Sequence, residues 1–282
     1  MCGICGYVGK LNQQQVKNMI SANETRGGHA WGAAWNEVGQ VMYFKEPGRF
    51  ANTKFKLPTS DTMIAHTRFA THGEPNMNEN NHPHIGGGIC IVHNGVISNV
   101  HPKQKTKCDS EAILKMIIQN DTSKHFKIIK AIKKACMKIE GSFRIAVMSV
   151  KFPDRIYIAC DQQDPVYFGQ TKDYIAFASE AKDLPKGAVI TKAMGNRIYV
   201  IHTNMQMEMY RFKMPERRKY FDWKDYGYSS YKEFPARYSD QDDFDFKRED
   251  DIWNTYHTEC ENCIKVECNN CDVWRKMSEG IR

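Results

Sequence analysis

The chain has 282 residues, 41% hydrophobic and 26% charged, with a formal net charge of +7. That is the length of one large domain with an appendage and the composition of an ordinary soluble protein. No run of about 18 apolar residues is present to span a membrane, and no basic stretch with an apolar core marks a secretory signal, so a cytoplasmic protein is expected.

The chain opens MCGICGYVG, which reads as a buried strand with a cysteine directly behind the initiator. Aminopeptidases remove Met1 when the next side chain is small, and Cys2 would then carry a thiol and a free α-amino group together. That pairing is a nucleophile with its own base. A short helix follows from Gln14 to Ala22. GAAWN, VMYF, TMIAHTRFA and GGGICIVHNGVI then read as strands. Asp109 precedes a helix from Ser110 to Gln119 and is placed to cap it. HFKIIKAIKKACMKI carries apolar residues at 3–4 spacing and forms a further helix facing a core. FRIAVMSV, RIYIACD, YIAFASE and RIYVIH complete the strands. Strands, helices and strands in that order indicate an α+β fold with helices layered on sheets.

Near residue 210 the character changes. Residues 211–282 hold 14 of the 32 aromatic residues and a net charge of −2, against +9 for the first 210. Residues 1–210 are therefore read as the main domain, 211–256 as an aromatic and charged arm that docks onto something, and 257–282 as a cysteine-rich tail. Low aliphatic content argues against a separate core there. Six of the ten cysteines are scattered, whereas Cys260, Cys263, Cys268 and Cys271 form a C-x₂-C-x₄-C-x₂-C cluster. In a reducing compartment such spacing fits a closed Cys₄ zinc site. His257 is an alternative ligand, and free thiols or an iron–sulfur cluster are the competing readings.

Polar residues that interrupt strands carry the chemistry, because each costs free energy without a partner or a task. Alone, each has a bland reading: Asn94-Gly95 as a hairpin turn, an arginine at a strand end as a solvated group. With Cys2 they form a set. A thiol attacking a carboxamide needs a base, an oxyanion hole and grips on its substrate. An α-amino group with a pKa of roughly 7.7–8.0 serves as the base. The Asn94 side-chain amide and the Gly95 backbone N–H supply two donors. Arg68 can hold a carboxylate and Asp109 an ammonium. One amide, one carboxylate and one ammonium describe L-glutamine.

CGICGYVG, RGGHAWG, HTRFATHGEP, NNHPH, VHNGVISN and CDSEAI occur in that order, with a weaker continuation in GSFRIAVM, DPVYFG and FASEAKDL. On these stretches the chain resembles the class II, N-terminal-nucleophile glutamine amidotransferase domain, and is most similar in motif to the glutaminase half of glucosamine-6-phosphate synthase. The resemblance implies the N-terminal nucleophile (Ntn) hydrolase fold, a four-layer αββα sandwich. It implies a γ-glutamyl thioester on Cys2, Asn94 and Gly95 as the oxyanion hole, and Arg68 on the α-carboxylate with Thr71 and His72 beside it. Asp109 would bind the α-amino group, and Arg26 and His82 would support the site. No cofactor is needed for that hydrolysis. Two departures stand out. His29 replaces an acidic residue in RGGHAWG, and Phe69 replaces a tryptophan, so a local loop contact is expected to be rearranged.

The signatures of the synthase domains joined to such glutaminases are not found in this sequence. A separate ammonia-accepting synthase is therefore the expected partner, acting on a small metabolite or a nucleobase; nucleic acid contact stays open. Two other readings remain beside this one: an Ntn hydrolase of another amide, and a non-catalytic scaffold that keeps the fold and assembles through its tail.

Overall fold

The computed structural model describes residues 2–71, 73–99, 108–120 and 122–214. One sheet contains β1 (Gly3–Gly9), β2 (Ala30–Glu37), β3 (Gln40–Pro47), β4 (Thr62–Arg68), β9 (Tyr167–Gln170), β10 (Tyr174–Ala178) and β11 (Val189–Lys192), in the order β11-β9-β10-β1-β4-β2-β3. The other contains β5 (His84–Gly86), β6 (Ile89–Ile97), β7 (Gly141–Ser149), β8 (Phe152–Cys160), β12 (Arg197–His202) and β13 (Met207–Arg211), in the order β13-β12-β8-β7-β6-β5. The strand pairs are antiparallel throughout. β1 and β4 of the first sheet pack on β6, β7 and β8 of the second. The outer faces carry α1 (Gln13–Asn23) on one side and α2 (Ser110–Ile118) with α3 (His125–Lys138) on the other. The α+β arrangement of two antiparallel sheets with helices layered on them is thus present. None of the helices among the described residues is long and apolar enough to cross a membrane.

β1 is buried along its whole length, and side chains alternate across a strand. Cys5 and Tyr7 face α1, joining Val16, Met19 and Ile20 in one apolar cluster. Cys2, two residues before Ile4, belongs by that period to the opposite face. Gly3 lies under the end of α1, where a Cβ would come 2.3 Å from the Asn23 side chain. Thr67 Oγ1 donates to the Asn23 carbonyl at 2.9 Å and ties the same helix end to β4. The start of β1 is therefore held from above by α1 and from the side by β4. α3 buries Ile128, Ile129, Ile132, Ala135 and Cys136, the 3–4 spacing visible in its sequence.

At the far end of the second sheet, Glu208 on β13 gathers three donors. His125 of α3 reaches it at 3.3 Å, His202 of β12 pairs with it at 2.7 Å, and the Tyr210 hydroxyl donates to it. Burial pushes the Glu208 carboxyl up, but these hydrogen bonds outweigh it and hold the group well below the usual carboxylate range. A folded-state value below the unfolded one stabilises the fold above the ordinary glutamate value of 4.5, and the gain is lost as pH falls below it. Glu208→Gln is expected to lower the melting temperature at pH 7, with the gap to the parent protein narrowing below about pH 4.5. A gap of constant size across that range in paired thermal melts would contradict this account of Glu208.

Candidate functional site

Cys2 precedes β1 and is half-buried. Its thiol donates to the Phe69 carbonyl and accepts from the Phe69 N–H, each at 3.3 Å. Burial pushes the thiol pKa up, opposed by the Phe69 N–H and by the positive charge of Arg68. Asp109 acts on the same thiol in the opposite sense, so Arg68 and Asp109 both lie within electrostatic reach of Cys2. A thiol raised in this way stays protonated near neutral pH and needs a base to become a nucleophile.

Two adjacent residues after β10 organise the surroundings of Cys2 and Asn94. Ser179 bonds to β1 twice through backbone and hydroxyl: its N–H donates to Ile4 O at 2.9 Å, and its Oγ accepts from Ile4 N–H at 2.9 Å. The same hydroxyl oxygen accepts from Asn94 Nδ2 at 3.1 Å. Glu180 pairs with the Arg26 guanidinium, and Arg26 Nε donates to the Cys2 carbonyl at 2.8 Å. One turn therefore sets the Cys2 backbone through Arg26 and the Asn94 amide through Ser179. Both residues sit in FASEAKDL, a stretch visible in the sequence, yet no spacing rule marks them as site residues. Their role depends on β10 pairing with β1, a contact made across about 170 residues of chain.

Asn94 and Gly95 lie on β6. Asn94 is buried, and one amide hydrogen is taken by Ser179, which leaves the second directed elsewhere. Gly95 has φ +153°, and a Cβ there would come 2.0 Å from the Ser142 carbonyl. No other residue fits that position without moving β7.

Arg68 ends β4 and is buried. Its guanidinium donates to Asn81 Oδ1 at 2.7 Å and to the Gly73 carbonyl at 2.9 Å. Asn81 in turn donates to the Pro75 carbonyl at 2.8 Å, so Arg68 is bound to both ends of the loop that follows β4. Asn81 is a third residue that the sequence reading passed over, although it stands in NNHPH. Thr71 is exposed on this loop, and His72 lies outside the described residues.

Asp109 occupies the N-cap position of α2, but its side chain makes no capping bond. The expectation that it caps the helix is corrected. Its Oδ2 instead accepts from the Ile97 N–H at the end of β6 at 3.0 Å. Because its backbone is already helical at φ −58° and ψ −29°, the side chain points away from the helix start. The carboxylate is thereby fixed to the strand that carries Asn94 and Gly95.

The substituted pair is reconciled locally. His29 and Phe69 stack with ring centroids 4.9 Å apart, and His29 Nδ1 accepts from the Ala70 N–H at 3.0 Å. An open cavity of about 420 Å³ lies against this pair, with Arg26 and Arg49 among its lining residues. His82 takes no part in this network. It stands in a buried group of imidazoles, 4.0 Å from His66 and 4.7 Å from His84 between ring centroids. Cys260, Cys263, Cys268 and Cys271, with the arm before them, lie outside the described residues.

Residues 66–186 match the family described as a glutamine amidotransferase domain. Among curated proteins, the glutamine–fructose-6-phosphate aminotransferase (isomerizing) of Campylobacter jejuni is 31% identical over 56% of this chain and 29% of its own. That of Clostridium acetobutylicum is 30% identical over 74% of this chain and 36% of its own. The chain thus spans about a third of the length of the curated relatives it matches. The Bacillus subtilis glutamine phosphoribosylpyrophosphate amidotransferase, solved with ADP and GMP, superposes with a TM-score of 0.60 at 21% identity, covering 76% of this chain and 50% of that one. A structure described as the allosteric regulatory enzyme of purine biosynthesis gives 0.63 at 21% identity over the same shares.

Ser179→Ala removes the acceptor that orients Asn94 and leaves every group that would meet a substrate in place. A lost hydrogen bond of about 1–1.5 kcal/mol corresponds to roughly tenfold. Steady-state kinetics on L-glutamine should show that fall in kcat with KM little changed, and an unaltered kcat would remove Ser179 from the account.

Proposed function

We propose that this chain, which carries a class II glutamine amidotransferase domain, hydrolyses L-glutamine on Cys2 and hands the ammonia to an acceptor enzyme. The observation that carries this reading is that the turn at Ser179 and Glu180 ties Cys2, through Arg26, and Asn94 together, with Arg68 and Asp109 in electrostatic reach of the Cys2 thiol. Class II relatives are glutamine-hydrolysing enzymes, and Cys2, Arg68, Asn94, Gly95 and Asp109 stand in stretches that resemble that family's motifs, with His29 and Phe69 as departures.

In the proposed reaction, loss of Met1 frees the α-amino group of Cys2, which takes the thiol proton. The thiolate attacks the side-chain carboxamide carbon of glutamine and forms the C–S bond. The oxygen of the tetrahedral intermediate becomes negative and accepts from the free Asn94 amide hydrogen and the Gly95 N–H. The ammonium form of the α-amino group returns its proton to the leaving nitrogen, and ammonia departs as the C–N bond breaks. Water, deprotonated by the same amine, then cleaves the thioester and releases glutamate. Arg68 holds the α-carboxylate and Asp109 the α-ammonium, with Thr71 and His72 beside them. Arg26 acts through the backbone, holding the Cys2 carbonyl so that the side chain keeps one direction. His82, just before β5, is read as a supporting residue only.

The relatives are named for transfer of the nitrogen of glutamine, one with fructose 6-phosphate and the other with phosphoribosylpyrophosphate. For this chain the acceptor enzyme is read as a separate cytoplasmic protein that modifies a metabolite or a nucleobase. The arm at 211–256 supplies its docking segment. Cys260, Cys263, Cys268 and Cys271 hold a structural zinc in the tail at 257–282, on the strength of their spacing.

Three variants test the roles by glutamate release. Cys2→Ser should abolish turnover. Asn94→Ala should lower kcat by roughly 10²–10³, the usual cost of an oxyanion donor. Arg68→Lys keeps the charge but loses the fork, and should act mainly on KM. Wild-type turnover in Cys2→Ser would overturn the reading. Addition of the acceptor enzyme should raise the rate of the parent chain.

A further inference from the structure

We infer that His82, His84 and Cys108 form a binding site for one borderline-soft divalent cation of the zinc class, buried beside Asp109. One ligand atom from each residue comes within 4.8 Å of the other two. All three side chains are buried, at 4%, 5% and 4% exposure. Both ring nitrogens of His82 and Nε2 of His84 have no hydrogen-bond partner among the described residues. A buried polar atom left without a partner costs about 1–3 kcal/mol, so three of them in one place call for an explanation.

The donor set selects the ion. Two neutral imidazoles and a thiolate suit zinc or cobalt and not magnesium or calcium, which take oxygen ligands. Bond lengths of about 2.0–2.1 Å to nitrogen and 2.3 Å to sulfur set tetrahedral edges of roughly 3.3–3.7 Å. Closing from 4.8 Å needs a movement of about 1 Å, within the reach of χ rotations. Lys45 holds the scaffold by donating to the Asn81 and Pro83 carbonyls at 2.7 and 3.1 Å. Its charge opposes a cation, while Glu111 and Asp109 favour one at the same site. Three protein ligands leave a fourth position for water or another donor.

Cys108 bears on the adjacent chemistry. Its thiol donates to Asp109 Oδ1 at 3.7 Å. Metal binding replaces the thiol proton, so that donor is lost and a positive centre appears next to the group read as the ammonium grip. Occupancy would then raise the KM for glutamine. This last consequence rests on the glutaminase reading; the binding of metal does not.

Crystals of the full chain soaked in zinc should give an anomalous peak within bonding distance of His82, His84 and Cys108. Zinc sites elsewhere in the crystal with no peak there would overturn the proposal. In solution, cobalt(II) titrated into the full chain should bind with one equivalent more than into Cys108→Ser or His84→Gln. The difference spectrum for Cys108→Ser should carry a thiolate-to-cobalt charge-transfer band that zinc removes. Equal equivalents and superimposable spectra from variants with parental circular dichroism would overturn it as well. Neither measurement uses glutamine, so its outcome is separate from the test of catalysis.

Discussion

The arrangement of the site depends on the pairing of β10 with β1. That pairing delivers Ser179 and Glu180 to the head of the strand that begins behind Cys2. Glu180 engages Arg26, which holds the Cys2 carbonyl; Ser179 bonds Ile4 and Asn94. A residue near a chain end is prone to fray, because few backbone bonds hold it. Here Arg26 Nε donates to the Cys2 carbonyl at 2.8 Å and holds it. Oxyanion-hole geometry must hold to about half an ångström to be useful, and supporting residues with locked rotamers provide it. The turn at 179–180 fixes both the Cys2 carbonyl, through Arg26, and the Asn94 amide, the two groups on which the proposed chemistry relies.

The electrostatic logic follows from burial. The Cys2 thiol is pushed up, not activated, by its surroundings. In the proposed reaction the base is the α-amino group of the same residue, freed by loss of Met1. Arg68 and Asp109 bring opposite charges within electrostatic reach of this thiol, a pattern that fits a zwitterionic α-amino acid better than a simple amide. Both are anchored to backbone: Arg68 to Gly73 and Asn81, Asp109 to Ile97. Anchoring of this kind lowers the cost of ordering charged side chains on binding. The His29–Phe69 stack shows how a departure from the family pattern is accommodated, with an imidazole acceptor and a ring contact closing the start of the loop.

The long strands and the three α-helices among the described residues were legible because their apolar residues follow periods of 2 or 3.6 over enough positions. β5, β9, β11 and β13 were not, since strands of three to five residues carry too few alternations to stand out. The motif residues were readable as polar interruptions of apolar strands. Ser179, Glu180 and Asn81 were not, because their partners are set by tertiary pairing across the sheet and the loop. Asp109 illustrates the limit from the other side. Its position before α2 is the cap position, but the bond that holds it comes from Ile97, twelve residues away on another element.

The central claim is that Cys2, freed of Met1, is the group that meets glutamine. Intact mass before and after treatment with a glutamine-analogue diazoketone, with the adduct mapped by peptide sequencing, tests it most directly. The account predicts loss of Met1 and a single adduct on Cys2, blocked by excess L-glutamine. A correctly processed Cys2 that stays unlabelled, or an adduct on another cysteine that glutamine does not prevent, would contradict it.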